Sequence, residues 1–295
     1  MATLRELKTR IGSVASSEKI TGAMKMISSA KVHQNEQALK KLAPFRNQIQ
    51  SILGHILSTD ENFNSPLIEK REVKNASVIV YGSDDGLCGA YNMNIFKGFL
   101  VELNKIKETY GRDVKITVYP VGSKIAKAVK RLESDLLEVK IPQGIDSKMK
   151  GETVTDFTRK LRDSFIIGET DLVEVVYMRF ISMGRQVLDC EQLFPVVADE
   201  LLKGESREEE NQLYIFEPDP NTIFNEVLPM FVTSTMQEIT VENRASEQAA
   251  RVMAMQAAND NAKKLFDQLQ LEYNKLRQES ITTELLDILG GQVER

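Results

Sequence analysis

Residues 230–289 have the sequence MFVTSTMQEITVENRASEQAARVMAMQAANDNAKKLFDQLQLEYNKLRQESITTELLDIL, which contains neither glycine nor proline over 60 positions. Helices in globular proteins average about 11 to 12 residues, so a stretch of this length without a helix breaker predicts one long helix. At about 1.5 Å per residue, a helix from 219 to 289 would be on the order of 100 Å long. One apolar edge recurs at helical spacing in its second half: Ala262, Leu265, Leu269 and Leu276, beside Phe266 and Tyr273.

Signals for a helix start and a helix end flank this stretch. Asp219 is expected to cap the first turn, and Pro220 suits the first helical position because an N–H is not needed there. Gly290 and Gly291 are expected to end the helix.

The first 57 residues have the same helical periodicity. Between Ser28 and Leu42 the apolar stripe thins to small and polar residues, which favours a single helical partner over a broad core. Pro44 is expected to bend or locally break the helix. The apolar positions recur every three or four residues: Leu4, Leu7, Ile11, Val14, Ile20, Met24, Ile27, Phe45, Ile49, Ile52 and Ile56.

The two terminal segments carry opposite charge. Residues 1–57 contain nine Lys and Arg against three Asp and Glu, whereas residues 219–295 contain seven against twelve. A long helix is poorly stabilised on its own. The N- and C-terminal helices are therefore predicted to wind together as a long antiparallel coiled coil.

The middle of the chain predicts a Rossmann-like α/β domain. Runs rich in β-branched residues alternate with helical stretches, which is the pattern of a parallel, doubly wound sheet. The expected strands are 76–81, 114–119 and 172–178, with an edge strand at 187–193; the expected helices are 92–109, 123–131 and 154–167, and 205–212 is expected to be a solvated loop. The predicted organisation is an N-terminal coiled-coil helix at 1–57, an α/β globular domain at 70–216 and a C-terminal coiled-coil helix at 217–290.

The loop after the first expected strand is the natural place for a phosphate site. It reads GSDDGLCG at 82–89, which lacks the Gly-Lys-Ser/Thr ending of a P-loop and the spacing of a dinucleotide fingerprint. Asp84 and Asp85 would repel phosphate, so the glycines are interpreted as a tight turn between strand and helix. No cofactor is predicted.

Other chemistry is scarce. Cys88 and Cys190 are interpreted as structural, because the only histidines, His33 and His55, lie in the first helix and supply no base beside them. Two histidines also exclude a His-rich metal site. Two cysteines favour a reducing compartment, no apolar run reaches 18 residues, and the first residues lack the character of a signal peptide or presequence.

Basic residues of the first helix suggest three interpretations. Nucleic acid binding is disfavoured by the overall net charge of -5 and by the absence of aromatic residues before Phe45. A solvated face and a contact with an acidic protein surface remain open. The residues concerned are Lys8, Arg10, Lys19, Lys25 and Lys31.

Four segments resemble the gamma subunit family of the F-type ATP synthase over about residues 4–290. They are ITGAMKMISSAK at 20–31, GLCG at 86–89 with Asn92 and Asn94, ENRASEQAARVMAM at 242–255, and the continuation at 271–286. The resemblance implies a central-stalk rotor shaft that couples ion flow through a membrane c ring to ATP synthesis or hydrolysis. The chemistry would occur on a hexamer of alpha and beta subunits, and the shaft itself would hold no catalytic residue.

The resemblance also implies partners and a location. The partners would be the alpha and beta subunits, the epsilon subunit and the c ring, with one copy of the shaft per complex and only indirect membrane association. The location would be the cytoplasmic face of the bacterial inner membrane. A non-catalytic coiled-coil scaffold and an enzyme built on the central domain are the alternatives.

Contact residues follow from the positions that match the family. Glu217 would contact the c ring or epsilon, and Lys8, Lys19 and Lys31 would face acidic surfaces of the hexamer. Asp85 departs from the family, which commonly has Arg or Lys there. The expected contacts with the hexamer are Met24 and Lys25 on the first helix, and Arg277, Gln278, Thr282 and Glu284 on the last.

Overall fold

The computed structural model describes residues 3–58, 63–197, 201 and 216–293, so the loop predicted at 205–212 lies outside the described residues. A 3₁₀ turn at Lys130–Leu132 follows the third helix. The elements are α1 Leu4–Leu57, β1 Asn75–Tyr81, α2 Tyr91–Tyr110, β2 Lys115–Val121, α3 Ser123–Val129, β3 Leu137–Val139, α4 Gly151–Ile166, β4 Leu172–Ser182, β5 Arg185–Phe194 and α5 Pro220–Val293.

Both long helices form as predicted, with 54 residues in α1 and 74 in α5. Pro44 does not break α1, and α5 likewise continues through Pro229. The expected end of α5 at Gly290 and Gly291 is wrong, because the helix extends to Val293. Glycine weakens a helix by about 1 kcal/mol without forbidding it.

Asp219 caps the start of α5, as predicted. Its carboxylate accepts hydrogen bonds from the Thr222 backbone N–H at 2.8 Å and from the Thr222 hydroxyl at 2.7 Å. These bonds stabilise the charged form, so they lower the pKa of Asp219. Pro220 follows as the first helical residue.

The chain forms two compact units, and α1 and α5 contribute to both. Residues 1–29 and 251–295 make up the first unit, and residues 30–250 make up the second. The domain boundaries expected from the sequence, at 57/70 and 216/217, stay a prediction.

The second unit contains a five-stranded sheet in the order β3-β2-β1-β4-β5. The first four strands are parallel, and β5 pairs with β4 in the antiparallel sense at the edge. The doubly wound sheet and its edge strand are therefore confirmed. β3 was not predicted, because it has only three residues.

Alternating side chains of β1 enter two cores on opposite faces of the sheet. Val78 and Val80 pack with α2 and α3, whereas Ile79 and Tyr81 pack with α4 and with segments of both long helices. Right-handed crossovers account for this division. The chain moves outward from β1 to β3 with its helices on one face, and its return to β4 places α4 on the other.

Within the second unit, α1 and α5 run antiparallel. Arg46 Nη1 lies 2.9 Å from Glu238 Oε2. Asn64, just beyond the end of α1, lies beside the start of α5, because Asn225 Nδ2 donates to the Asn64 carbonyl at 3.1 Å. The chain thus approaches the start of α5 as it leaves the end of α1, which is the antiparallel sense. The antiparallel pairing expected in the sequence analysis is confirmed, and the Arg46–Glu238 pair agrees with the opposite charges of the two helices.

Gly82 ends β1 where the chain passes close to α3. A Cβ at this position would lie 2.6 Å from Ile125 Cβ and 2.7 Å from Ile125 Cγ2. Ile125 is 1% exposed and β-branched, so it has little freedom to move. The close approach therefore requires glycine.

We expect Gly82→Ala to lower the free energy of unfolding by about 1–3 kcal/mol through overpacking. Gly86→Ala is the matched control, because a Cβ there would have Lys124 Cε as its nearest neighbour, at 3.9 Å. Urea unfolding of the full chain measures both. Equal midpoints for the two variants would contradict the prediction.

Candidate functional site

The first unit contains a polar contact between its two helices. Asn259 Nδ2 on α5 donates to the Glu18 carbonyl of α1 at 2.8 Å. The same amide lies 3.3 Å from Thr21 Oγ1 and 3.4 Å from the position of a Cβ on Gly22. A Cβ at Gly22 would therefore just be in van der Waals contact with this amide. The small residues of this part of α1 were evident in the sequence, but the hydrogen bond of Asn259 was not predicted.

The six expected hexamer contacts all belong to the first unit. Met24 and Lys25 are half-buried on α1. Arg277, Gln278, Thr282 and Glu284 are exposed on α5. The Thr282 hydroxyl donates to the Gln278 carbonyl one turn earlier, at 2.9 Å. Their accessibility is compatible with contacts to a partner, and the contacts themselves stay a prediction.

The same unit exposes many large apolar side chains. Leu269 is buried as the sequence suggested, but Ile20, Ile27 and Leu265 are 59%, 58% and 45% exposed and were wrongly expected in the helix seam. Large apolar surfaces left in water are typical of interaction sites. The exposed set is Ile20, Met26, Ile27, Met253, Leu265, Leu271, Ile281, Leu285, Leu286 and Ile288.

A row of hydrogen bonds joins α5 to the sheet in the second unit. The Tyr81 hydroxyl lies 2.8 Å from Thr240 Oγ1, and the Tyr91 hydroxyl donates to Asn243 Oδ1 at 2.7 Å. Arg244 Nε donates to the Ser147 carbonyl at 2.7 Å. Sequence reasoning marked the segment that begins at residue 242 only by its resemblance. The structure adds that its first residues attach the helix to the domain.

Glu217 is exposed just before the start of α5, in the second unit. The capped first turn of the helix follows within two residues, so the backbone beyond Glu217 is well defined. Its contact with the c ring or epsilon stays a prediction.

The glycine-rich loop at 82–89 is closed by the Asp84 side chain. Asp84 Oδ1 accepts from the Ser123 N–H at 2.9 Å, and Oδ2 accepts from the Ser147 N–H at 3.0 Å and the Ser147 hydroxyl at 2.7 Å. These donors are the groups that a phosphate would need. A carboxylate already engages them, which supports the interpretation of this loop as a turn.

Cys88 is buried, as predicted, with 3% of its surface exposed. Asn92 Nδ2 lies 3.4 Å from its sulfur and also donates to Ser83 Oγ at 2.7 Å. The preceding residue, Leu87, has φ of 65° and is 60% exposed. Asp85, which departs from the family pattern, lies 3.0 Å from Lys148 Nζ. Within this loop, the Cys88 side chain is therefore buried, whereas the Leu87 side chain is exposed to solvent.

A buried carboxyl pair lies between α2 and strands β4 and β5. Glu102 and Glu174 are 8% and 7% exposed, and their oxygens and the sulfur of Cys190 all lie within 4.8 Å of one another. Lys105 Nζ pairs with Glu102 at 2.6 Å. Burial, and next the charge of Glu102, raise the pKa of Glu174 to about 7, while burial raises the pKa of the Cys190 thiol. A proton on Glu174 and the charge of Lys105 therefore satisfy this cluster internally.

The fold defines a class of protein in which two long terminal helices pair with each other, a Rossmann-like α/β domain lies between them in the sequence, and many large apolar side chains are exposed. Among the helices in the described ranges, none is both long and apolar enough to span a membrane.

Comparison with known proteins identifies the family. A family model described as ATP synthase matches residues 3–293. The ATP synthase gamma chain of Bacteroides thetaiotaomicron is 37% identical over 302 residues, covering 100% of both chains. The chain therefore belongs to the ATP synthase family, as a relative of its gamma chains.

Solved structures agree on the fold. A structure of the central stalk and c ring of the Tetrahymena thermophila mitochondrial ATP synthase contains a chain with 22% identity and a TM-score of 0.56, covering 81% of this chain and 99% of that one. A chain from the rotor of the Euglena gracilis mitochondrial ATP synthase has 21% identity and a TM-score of 0.59, covering 94% and 98%.

The raised pKa of Glu174 predicts a pH dependence of stability. Its ordinary value is 4.5 and its folded value is about 7. The stabilisation is fully present below pH 4.5 and is lost as the pH rises through 7, by an amount on the order of 3 kcal/mol. A glutamine at this position cannot ionise. We therefore expect the free energy of unfolding of Glu174→Gln to fall less than that of the wild type as the pH rises.

Unfolding free energies of the wild type and Glu174→Gln between pH 5 and pH 8 measure the effect. Glu133→Gln is the control, because Glu133 is exposed. If the curves of the wild type and Glu174→Gln stay parallel over this range, the assignment is wrong.

Proposed function

We propose that this chain is the central-stalk rotor shaft of an F-type ATP synthase. It would couple ion flow through a membrane c ring to ATP synthesis or hydrolysis at a hexamer of alpha and beta subunits. The observation that supports this most strongly is the full-length similarity to ATP synthase gamma chains. The likeness to chains of a rotor and of a central stalk supports the same role.

The first unit would supply the bias that makes the catalytic sites differ. Its exposed residues include apolar ones such as Met26 and Leu271 and charged ones such as Arg277, and the resemblance to the gamma subunit family implies that the shaft is asymmetric. An asymmetric ligand stabilises whichever partner conformation it contacts best. Each orientation of the shaft would then favour a different conformation at each catalytic site.

The hexamer contacts would include Met24 and Lys25 on α1 and Arg277, Gln278, Thr282 and Glu284 on α5. Lys8, Lys19 and Lys31 would face acidic surfaces of the hexamer. In the second unit, Glu217 would contact the c ring or the epsilon subunit. The hydrogen bonds of Tyr81, Tyr91 and Arg244 would hold α5 to the domain while torque passes between them.

The chain itself would be non-catalytic and present in one copy per complex, on the cytoplasmic face of the bacterial inner membrane. Two features support a non-catalytic role. Asp84 engages the donors of the glycine-rich loop, and the Cys88 thiol is buried. A pull-down from detergent-solubilised membranes tests the assembly, since alpha, beta, epsilon and c subunits should copurify. Recovery of the chain alone, as a homodimer, would favour the coiled-coil scaffold instead.

We expect Arg277→Ala to reduce ATP-driven turnover of the assembled complex roughly two- to tenfold, because loss of one charged contact corresponds to less than about 1.4 kcal/mol. Lys275→Ala is the control, since Lys275 is also exposed on α5, with its side chain 78% accessible. Steady-state ATP hydrolysis and single-molecule rotation measure the effect. Equal turnover in both variants would remove Arg277 from the contact surface.

We expect Glu217→Lys to lower ATP-driven ion pumping while hydrolysis by the detached hexamer and shaft stays normal, because the change affects only the end that meets the c ring. Glu226→Lys, at an exposed position further along α5, is the control. Acidification of inverted membrane vesicles measures pumping. Normal pumping by Glu217→Lys would place the c-ring contact elsewhere.

A further inference from the structure

In the first unit, a long stretch of each helix contains no buried residue. On α1 no residue between Leu7 and Ser28 is buried, and on α5 none between Met255 and Leu269 is buried. The register of two long helices is usually fixed by buried apolar side chains that fit into holes of the facing helix. Such packing is scarce over this stretch, so another interaction must oppose a slip of α1 along α5.

A polar contact joins the two helices within this stretch. Asn259 Nδ2 donates to the Glu18 carbonyl at 2.8 Å and lies 3.3 Å from Thr21 Oγ1. The Thr21 hydroxyl itself lies 3.0 Å from the Glu18 carbonyl, so both acceptors of the amide belong to a single turn of α1. A slip by one turn would move the amide about 5.4 Å along α1, which would break both contacts.

Gly22 makes this turn of α1 different from its neighbours. A Cβ at Gly22 would lie 3.4 Å from Asn259 Nδ2, so a longer side chain pointing towards the amide would collide with it. After a slip by one turn, Met26 or Glu18 would stand where Gly22 stands now, since they are four residues after and before it. Their side chains would compete with the amide for this space. The contact therefore favours the present register over the neighbouring ones.

This register bears on the hexamer contacts proposed above. Met24 and Lys25 follow Thr21 within about one turn of α1, whereas the proposed contacts of α5 begin at Arg277. A surface formed by residues of two helices keeps its shape only while the helices keep their register. A slip by one turn would shift Met24 and Lys25 by about 5.4 Å relative to Arg277 without unfolding either helix.

We propose that Asn259 is a positioning residue of the shaft. Its bond to the Glu18 carbonyl fixes the register of α1 against α5, and thereby the place of Met24 and Lys25 relative to the contacts on α5. A single polar Asn in the seam between helices can specify their register while lowering their stability. The effect on catalysis rests on the proposed function, whereas the register is a property of this chain alone.

Asn259→Leu separates register from stability. Leucine has nearly the shape of asparagine but no hydrogen-bond donor, and it is the better helix former. We therefore expect the Tm of the full chain to stay the same or rise, while the register is lost. Asn261→Leu is the matched control, because Asn261 is exposed two residues further along α5.

Spin labels measure the register directly in the full chain, with the two native cysteines replaced by alanine. The labels are attached through Ser13→Cys and Asn274→Cys, at exposed positions of α1 and α5. Double electron–electron resonance should give one distance in this background and in Asn261→Leu. Asn259→Leu should add a second distance, displaced by up to about 5.4 Å. A single, unchanged distance in Asn259→Leu would overturn the proposal.

ATP hydrolysis by the complex assembled with alpha and beta subunits measures the consequence for function. We expect Asn259→Leu to lower kcat roughly two- to fivefold at a temperature well below Tm, while Asn261→Leu keeps the wild-type value. A purely stabilising role of Asn259 would leave kcat unchanged in a variant whose Tm is not lowered, so an unchanged kcat would overturn the proposal. A complex that hydrolyses ATP no faster with the wild-type chain than without it would instead contradict the proposed function, and the spin-label distances would still decide the register.

Discussion

The structure depends on a constraint that applies to both long helices: each must stay unbroken although its burial changes along its length. In α5, for example, no residue from 231 to 252 is exposed, whereas residues 281–286 are all exposed. Helices of 54 and 74 residues cannot be held by propensity alone. Within the first unit, Asn259 of α5 donates to the Glu18 carbonyl of α1, and Leu7 and Leu269 are buried. Ile20, Ile27 and Leu265 are exposed instead, and large apolar side chains left in water are typical of interaction sites.

In the second unit, polar contacts add register to apolar packing. Slippage of α5 by one turn would move each side chain about 5.4 Å. Such a slip would cost an apolar interface little, but it would break the bonds of Tyr81 to Thr240, Tyr91 to Asn243 and Arg46 to Glu238. Buried polar pairs are best established in this role of fixing register. A shaft that transmits force along its length needs that resistance to slip.

Sequence patterns predicted the elements whose signals are long or chemically distinct. The sequence correctly predicts the unbroken α5, its Asp219 cap and the alternation of strands and helices. The three-residue β3 was not, because so short a strand shows no periodicity. Ile20 and Ile27 were misassigned for a related reason, since helical spacing places residues on one face without saying whether a neighbour or water covers it. Contacts with other subunits depend on surfaces that this chain does not contain.

The polar residues around Glu242 illustrate the limit of sequence reasoning most clearly. Glu191, Glu238 and Glu242 lie on a strand and a helix more than 40 positions apart, so no local motif joins them. Only the antiparallel pairing of α1 with α5 brings Arg46 between two of them. Folding thus gathers three glutamates around the guanidinium groups of Arg46 and Arg179. Because an unpaired buried charge is strongly unfavourable, burial and the charge of Glu238 raise the pKa of Glu242 to about 7, and a proton on Glu242 removes the charge that the two guanidinium groups leave unbalanced.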